Sequence, residues 1–363
     1  MENMGIGPQF WQGKRVLITG HTGFKGGWLS LWLQQLGAEV TGVALDSPTV
    51  PNFYQQAAVA DEMKSLRVDI RNGEEIKQIF RQNKPEFVFH LAAQPLVRYS
   101  YQHPVETYET NVMGTLHVLE GIRAVDSVSA AVMITTDKCY ENREWVWGYR
   151  ENDPMGGHDP YSSSKGAAEL LIASYRDSYF PADRYSDHRT TIASVRAGNV
   201  IGGGDWAEDR LIPDLIRAFQ QGEEVLIRSP KATRPWQHVL EPLAGYLMLA
   251  EKLSLEGARW SGGWNFGPFD QDVKPVEWIC EQMVQLWGEE ACWRVDGGTH
   301  SHEANYLKLD CSKANMVLEW LPQWSLQQAL QSIVDWHQAD LQGQNMRLFS
   351  LSQIDQYLNA NRI

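Results

Sequence analysis

Cysteine is scarce in this chain. Four cysteines occur among 363 residues, Cys139, Cys280, Cys292 and Cys311, and no two of them form a C-x-x-C pair. That excludes a disulfide framework, and scattered reduced thiols are the expectation. No His or Cys cluster has metal-ligand spacing, so no metal is expected. Long apolar runs are missing too. Nothing approaches the roughly 18 consecutive apolar residues of a membrane helix, so no membrane partner is expected. The opening MENMGIGPQFWQGK has no basic region followed by an apolar stretch. No secretory leader and a cytoplasmic location are therefore expected. Positive charge is also in short supply: 32 Lys and Arg face 45 Asp and Glu, a net charge of −13. This argues against a nucleic-acid partner and leaves room for an anionic small molecule held by a few converging arginines. Internal repeats and low-complexity segments are absent.

The chain does contain a regular alternation of short apolar runs and helical patterns. Arg15–Thr19, Glu39–Leu45, Leu66–Val68, Glu86–Leu91, Ala130–Thr135 and Ile192–Arg196 read as buried strands. Trp28–Leu36 reads as an amphipathic helix, and Thr107–Arg123 and Tyr161–Tyr179 as further helices. This is the pattern of an α/β fold, a Rossmann-type doubly wound parallel sheet. After Asn199 the alternation gives way to loops, short strands and then helices. A smaller, mixed α/β C-terminal substrate domain is expected. The boundaries are 10–200 plus about 236–267 for the dinucleotide domain, and about 201–235 plus 268–363 for the discontinuous second one.

Gly20-His21-Thr22-Gly23-Phe24-Lys25-Gly26 joins the first strand to a helix, and Asp46 follows 20 residues after Gly26. Glycines in such a place give a tight turn and let backbone approach a pyrophosphate at the helix start. An acid at the end of the second strand accepts from a ribose 2′-hydroxyl and repels a 2′-phosphate, which favours NAD over NADP. The bland alternative is a glycine-rich turn without ligand. Asp69 and Ile70, at the end of the third strand, are either adenine neighbours or a plain strand end.

Tyr161 and Lys165 lie one helical turn apart. A nearby cation favours the phenolate, making the Tyr a base for a sugar hydroxyl; otherwise the pair is a chance one on a surface helix. Thr135 and Thr136 end the fifth strand, at the sheet edge where ligands bind. Asp137 and Lys138 follow, as either chemistry or a solvated ion pair. Asn111 is either part of the site or a helix residue bonding water. Arg210, Arg228 and Arg234 fall in the second domain, where together they suit a substrate pyrophosphate.

Taken together, TGHTGFKG, HLAAQ (His90–Gln94), Asn111, TTDK and YSSSK resemble the extended short-chain dehydrogenase/reductase family. RAGNVIGGGDW, DRLIP, RPWQHVLEPL, WNFGP and HEANYLKLDCSKANMVLEW resemble its nucleotide-sugar branch, and the likeness covers essentially the whole chain. The resemblance is closest to the 4,6-dehydratases acting on CDP-glucose, which implies that small-molecule substrate, a tightly bound NAD regenerated each turnover, and a homodimer or homotetramer. It implies cofactor contacts at Gly20, Thr22, Gly23, Phe24, Gly26, Asp46, Asp69, Ile70, Leu91, Ala92, Ala93, Tyr161 and Lys165. For substrate it implies Asn199, Arg210, Leu211, Pro213, Arg228, Arg234, His238 and Tyr306, and for catalysis Asn111, Thr136, Asp137, Lys138, Tyr161 and Lys165. Most 4,6-dehydratases of the family carry Thr-Asp-Glu where this chain has Thr136-Asp137-Lys138; the Lys fits the CDP-glucose branch and leaves the carbon-5 base open. A nucleotide-sugar 4-epimerase, a 4,6-dehydratase for another nucleotide sugar and a non-catalytic dinucleotide sensor are the competing readings.

Overall fold

The computed structural model describes residues 6–288, 291–298 and 307–360. Thirteen strands are found among them: β1 (Arg15–Thr19), β2 (Glu39–Ala44), β3 (Lys64–Arg67), β4 (Phe87–His90), β5 (Ala130–Ile134), β6 (Thr191–Ala197), β7 (Val200–Ile201), β8 (Val225–Ile227), β9 (Thr233–Pro235), β10 (Gln237–His238), β11 (Gly262–Phe266), β12 (Val273–Pro275) and β13 (Trp293–Val295). Seven of them form one sheet, in the order β11-β6-β5-β4-β1-β2-β3, and every pairing in it is parallel. The apolar runs predict this. β4, β5 and β6 are buried along their full length, as strands covered on both faces must be. The strand order reverses between β1 and β4, so a crevice opens beyond their carboxyl ends. Thr19 is in register with Val43 on one side and His90 on the other, which brings the glycine loop and the HLAAQ segment to that crevice.

Two helices depart from the sequence expectation. The first begins at Phe24, not Trp28, and runs to Gln35. It is buried on nearly every side, from Gly26 through Gln34, and is not amphipathic. The sheet covers one face; Phe53 stacks on Trp28 at 4.6 Å, and Tyr357 of the C-terminal helix Met346–Leu358 meets Trp32 edge-on at 5.8 Å. The expected helix over 107–123 is made of three pieces: Pro104–Tyr108, a π turn at Glu109–Met113, and Gly114–Arg123. Such single π turns concentrate at functional sites, and this one carries Asn111.

The remaining strands pair in twos: β7 with β10, β8 with β13, and β9 with β12. The helices Leu211–Gln221, Val276–Trp287 and Leu326–Leu341 pack against β8, β12 and β10 in turn.

Candidate active site

Gly20 donates its amide to Val43 and Gly23 donates back to Gly20, closing the turn after β1. A side chain at Gly26 would collide with the Gly20 carbonyl, so only glycine lets this helix start so close to the strand. No side chain caps the helix Phe24–Gln35. Its first amides, which lack in-helix acceptors, are left for an anion. Thr22 ties the loop to the end of β2 by donating to the Leu45 carbonyl at 2.9 Å, and Phe24 packs against Gly202. Asp46, 90% exposed, accepts from the Arg67 guanidinium at 2.6 Å. Asp69 is bound by Arg71, which holds its carboxyl below the ordinary range, and Ile70 is buried against Gly114. Leu91, Ala92 and Ala93 line the crevice, half-buried, with the Ala92 amide donating to Thr19 Oγ1 at 3.1 Å. His90 bridges Thr19 and Thr115, at 2.7 and 2.9 Å. Burial drops its pKa to about 3, so it stays neutral.

Asn111 does more than bond water. Its side chain accepts from the Gln94 amide at 2.9 Å and donates to the Gln94 carbonyl and to Ser164 Oγ. It thereby pins the HLAAQ segment to the helix Pro160–Tyr179, which carries Tyr161 and Lys165.

Asp137 follows β5 in a single 3-10 turn and is 3% exposed. Thr136 Oγ1 donates to its carboxylate at 3.0 Å, and the carboxylate lies so close to Gly198 that any side chain there would displace it. Burial raises the Asp137 pKa and outweighs Lys138, the Thr136 hydrogen bond and Arg234, which all favour the anion. The acid form is thus extended toward neutral pH. The Lys138 backbone amide donates to Thr136 Oγ1 at 3.3 Å; its side-chain amine makes no hydrogen bond or ion pair among the described residues, and its charge reaches the buried Asp137 only at longer range. Tyr161 is 8% exposed, and burial pushes its phenol up to about 12, against the Thr136 hydrogen bond and Arg210. Lys165 is turned elsewhere than the sequence suggests: its amine reaches the Ile134 carbonyl at 3.4 Å, and burial takes it down to about 8.

Beneath this cluster lies a network that sequence reading missed. Glu169, one turn beyond Lys165, accepts from Thr135 Oγ1, from Ser194 Oγ at 2.7 Å and from two nitrogens of Arg196, each at 2.8 Å. Arg196 goes on to Tyr140. Thr135 therefore faces the interior, and only Thr136 of the pair faces Tyr161. The signals available were a third ionisable residue on the Tyr161–Lys165 face and an arginine inside an apolar strand. Burial alone would raise the Glu169 carboxyl, but Arg196 and its hydrogen bonds hold it below the ordinary range. Glu169→Ala is expected to cost about 3–5 kcal/mol in denaturant unfolding, because it strands a buried guanidinium. Stability equal to the wild type would remove the pair from the account.

On the substrate side, Arg210 and Arg234 act on the cluster: Arg210 favours the Tyr161 phenolate and Arg234 the Asp137 carboxylate. Arg210 also pairs with Asp205 at 3.1 Å. Arg228 does not converge with them; it joins Asp209 at 3.3 Å, which Arg98 also binds at 2.8 Å. Asn199, half-buried, accepts at its carbonyl from Gln237, while Leu211 and buried Pro213 open the helix behind Arg210. His238 is not at an open surface: it is 1% exposed between Trp28 and Trp324, and Leu240 donates to its Nδ1. Tyr306 lies outside the described residues.

The sequence pattern of the GDP-mannose 4,6 dehydratase family matches residues 17–333. The chain belongs to that family. A relative from Salmonella typhimurium, CDP-glucose 4,6-dehydratase, is 58% identical over 355 residues, 98% of this chain and 99% of its own length. Among solved structures, an epimerase from Methanothermobacter thermautotrophicus has a TM-score of 0.80 at 22% identity, covering 94% of this chain and 96% of its own. MoeE5, solved with UDP-glucose and NAD, has a TM-score of 0.73 at 25% identity, covering 90% and 99%. Family membership fits the site: glycine loop, Tyr161–Lys165 helix and Thr136–Asp137 turn meet at one crevice.

Proposed function

We propose that this chain is a hydro-lyase that converts CDP-glucose to CDP-4-dehydro-6-deoxyglucose with NAD, a step toward 3,6-dideoxyhexoses of surface polysaccharide. The observation that carries elimination is Asp137, a carboxyl beside Tyr161 whose burial favours the acid form. The cytidine nucleotide is supported by the 58% identity to the Salmonella typhimurium enzyme. The uncapped helix start and the Gly26 approach support a dinucleotide pyrophosphate there, and Asp46, just after β2, is the acid this reading assigns to the ribose. NAD, when bound, supplies a hydride acceptor and donor, leaving the net reaction a dehydration.

In this reading, Tyr161 takes the proton of the sugar 4-hydroxyl, with Thr136 steadying the phenolate. Lys165 holds the ring's helix against the end of β5 and Asn111 holds the HLAAQ segment, so the crevice keeps its shape. Lys138 removes the carbon-5 proton, made acidic by the new 4-keto group. Asp137 gives its proton to the departing 6-hydroxyl, which leaves as water. Arg210 and Arg234 bind the substrate pyrophosphate. The chain acts in the cytoplasm as a homodimer or homotetramer; apolar side chains left exposed on helices near the site, Tyr108, Met113 and Leu170 among them, support an assembly. Among the described residues no helix is long and apolar enough to cross a membrane.

Incubation with CDP-, dTDP-, UDP- and GDP-glucose tests the reading. A 4-keto-6-deoxy product from CDP-glucose is expected; a product that keeps every oxygen would make the chain an epimerase instead.

Cofactor choice gives a further prediction. Because Arg67 is neutralised by Asp46, Asp46→Ala both removes the ribose acceptor and frees a guanidinium for a 2′-phosphate. The ratio of NADP to NAD affinity, read by titration, should rise by roughly tenfold or more, the worth of one charged hydrogen bond. An unchanged ratio would take Asp46 out of the ribose site.

A further inference from the structure

Lys25 is the sixth residue of the glycine motif and the second of the helix Phe24–Gln35. A cation is ill placed there, because the helix start already carries positive charge. Among the described residues its amine makes no hydrogen bond and no ion pair; it lies over the ring of Tyr246, 5.8 Å away on the helix Leu240–Glu256. The groups facing it are Arg210 ahead of the helix Leu211–Gln221, Lys165 on the helix Pro160–Tyr179, and Asp137 after β5. Two of those three are cations. Lys25 is partly exposed, and the charges that act on its amine belong to the catalytic cluster beside the glycine loop.

We propose that Lys25 is an anion clasp for the dinucleotide: its amine pairs with the pyrophosphate seated at the start of its own helix, and cofactor and proton bind together. This rests on the NAD-dependent reading above. The unpartnered amine costs stability in the empty protein and gains its counter-charge only on binding. Burial, then Arg210, then Lys165 lower its pKa to about 7, with Asp137 opposing. The empty protein therefore holds this amine largely neutral above that pH, and an incoming pyrophosphate draws a proton from solvent onto it.

Calorimetric titration in two buffers of different ionisation enthalpy, at a pH of about 8, reads that proton directly. NAD and ADP-ribose should each bind with proton uptake, and adenosine, which lacks phosphate, without it. The NAD dissociation constant should rise by up to about tenfold per pH unit above neutrality. Lys25→Met should show no uptake and bind NAD roughly tenfold or more weakly, one charged hydrogen bond being lost. Lys25→Arg, charged at every pH, should keep affinity and lose both the uptake and the pH dependence. The empty Lys25→Met protein should melt at or above the wild-type temperature, most clearly below pH 7, where the wild-type amine is charged without a partner. Wild-type affinity and wild-type uptake in Lys25→Met overturn the proposal, as does adenosine binding with the same uptake as NAD. A wild-type protein that binds no NAD refutes the functional reading itself, whereas NAD binding without proton uptake refutes only the role of Lys25.

Discussion

Tyr161→Phe should lower turnover by about 10²–10⁴, the range for losing a general base, while substrate affinity changes far less. The phenol is buried at the start of its helix, where the Tyr161 amide bonds Ser100 Oγ, so removing one hydroxyl leaves the ring in place. With its pKa pushed up to about 12 by burial, the phenol is protonated at neutral pH. It works as a base only because Thr136 and Arg210 favour the anion against burial, Asp137 and Asp159. The sign of the pH effect follows. The ionised fraction grows as pH rises toward 12, so this limb of the wild-type rate climbs with pH, and the Phe variant should lack it. Steady-state rates across pH measure both effects. Turnover equal to the wild type in Tyr161→Phe would remove the residue from the mechanism.

What was legible in the sequence was local. An apolar run followed by three spaced glycines already implies strand, turn and helix, because each step depends on residues next to one another. The Tyr161–Lys165 pair was legible for the same reason: helical spacing alone puts the two on one face. What stayed hidden depends on partners far along the chain. The carboxylate of Glu169 and the guanidinium of Arg196 meet across 27 positions, and no periodicity marks that meeting. Asp46 reads as a bare acid until β2 and β3 pair and Arg67 reaches it. His238 sits beside the RPW segment in sequence, yet Trp28 and Trp324, from opposite ends of the chain, enclose it. The helix starting at Phe24 looked one-sided because the Met346–Leu358 helix that covers its outer face is contributed more than 300 positions later. Lys165 shows the limit of spacing arguments even within one helix. The face was right, but the amine goes to the Ile134 carbonyl, which only the packing of helix on strand provides.

Asp137→Asn should separate oxidation from elimination. Asparagine has the same shape, so it fits against Gly198 and keeps the Thr136 contact, but it has no proton to give the 6-hydroxyl. Tyr161, Thr136 and Lys165 remain, and the first half-reaction should proceed. Net turnover should fall by about 10²–10⁴, the worth of a general acid, while the near-ultraviolet absorbance of reduced nicotinamide builds up on the enzyme. In the wild type no such absorbance should persist. Deuterium placed on carbon 4 of the sugar should reappear on carbon 6 of the same molecule, and carbon 5 should carry hydrogen from solvent. The pH sign is opposite to that of Tyr161. Burial raises the Asp137 pKa, so the acid form is complete below the ordinary carboxylate value and is lost as pH rises through the raised one. Elimination should weaken on that side, and the limb should vanish in the Asn variant. The same raised value makes the ionised carboxylate unfavourable to folding once pH exceeds it. Asp137→Asn should therefore be at least as stable as the wild type at high pH, which denaturant unfolding can check and which separates lost chemistry from lost structure. Label returning to carbon 4 would make the enzyme an epimerase. Wild-type turnover in Asp137→Asn would leave the departing hydroxyl without its assigned acid.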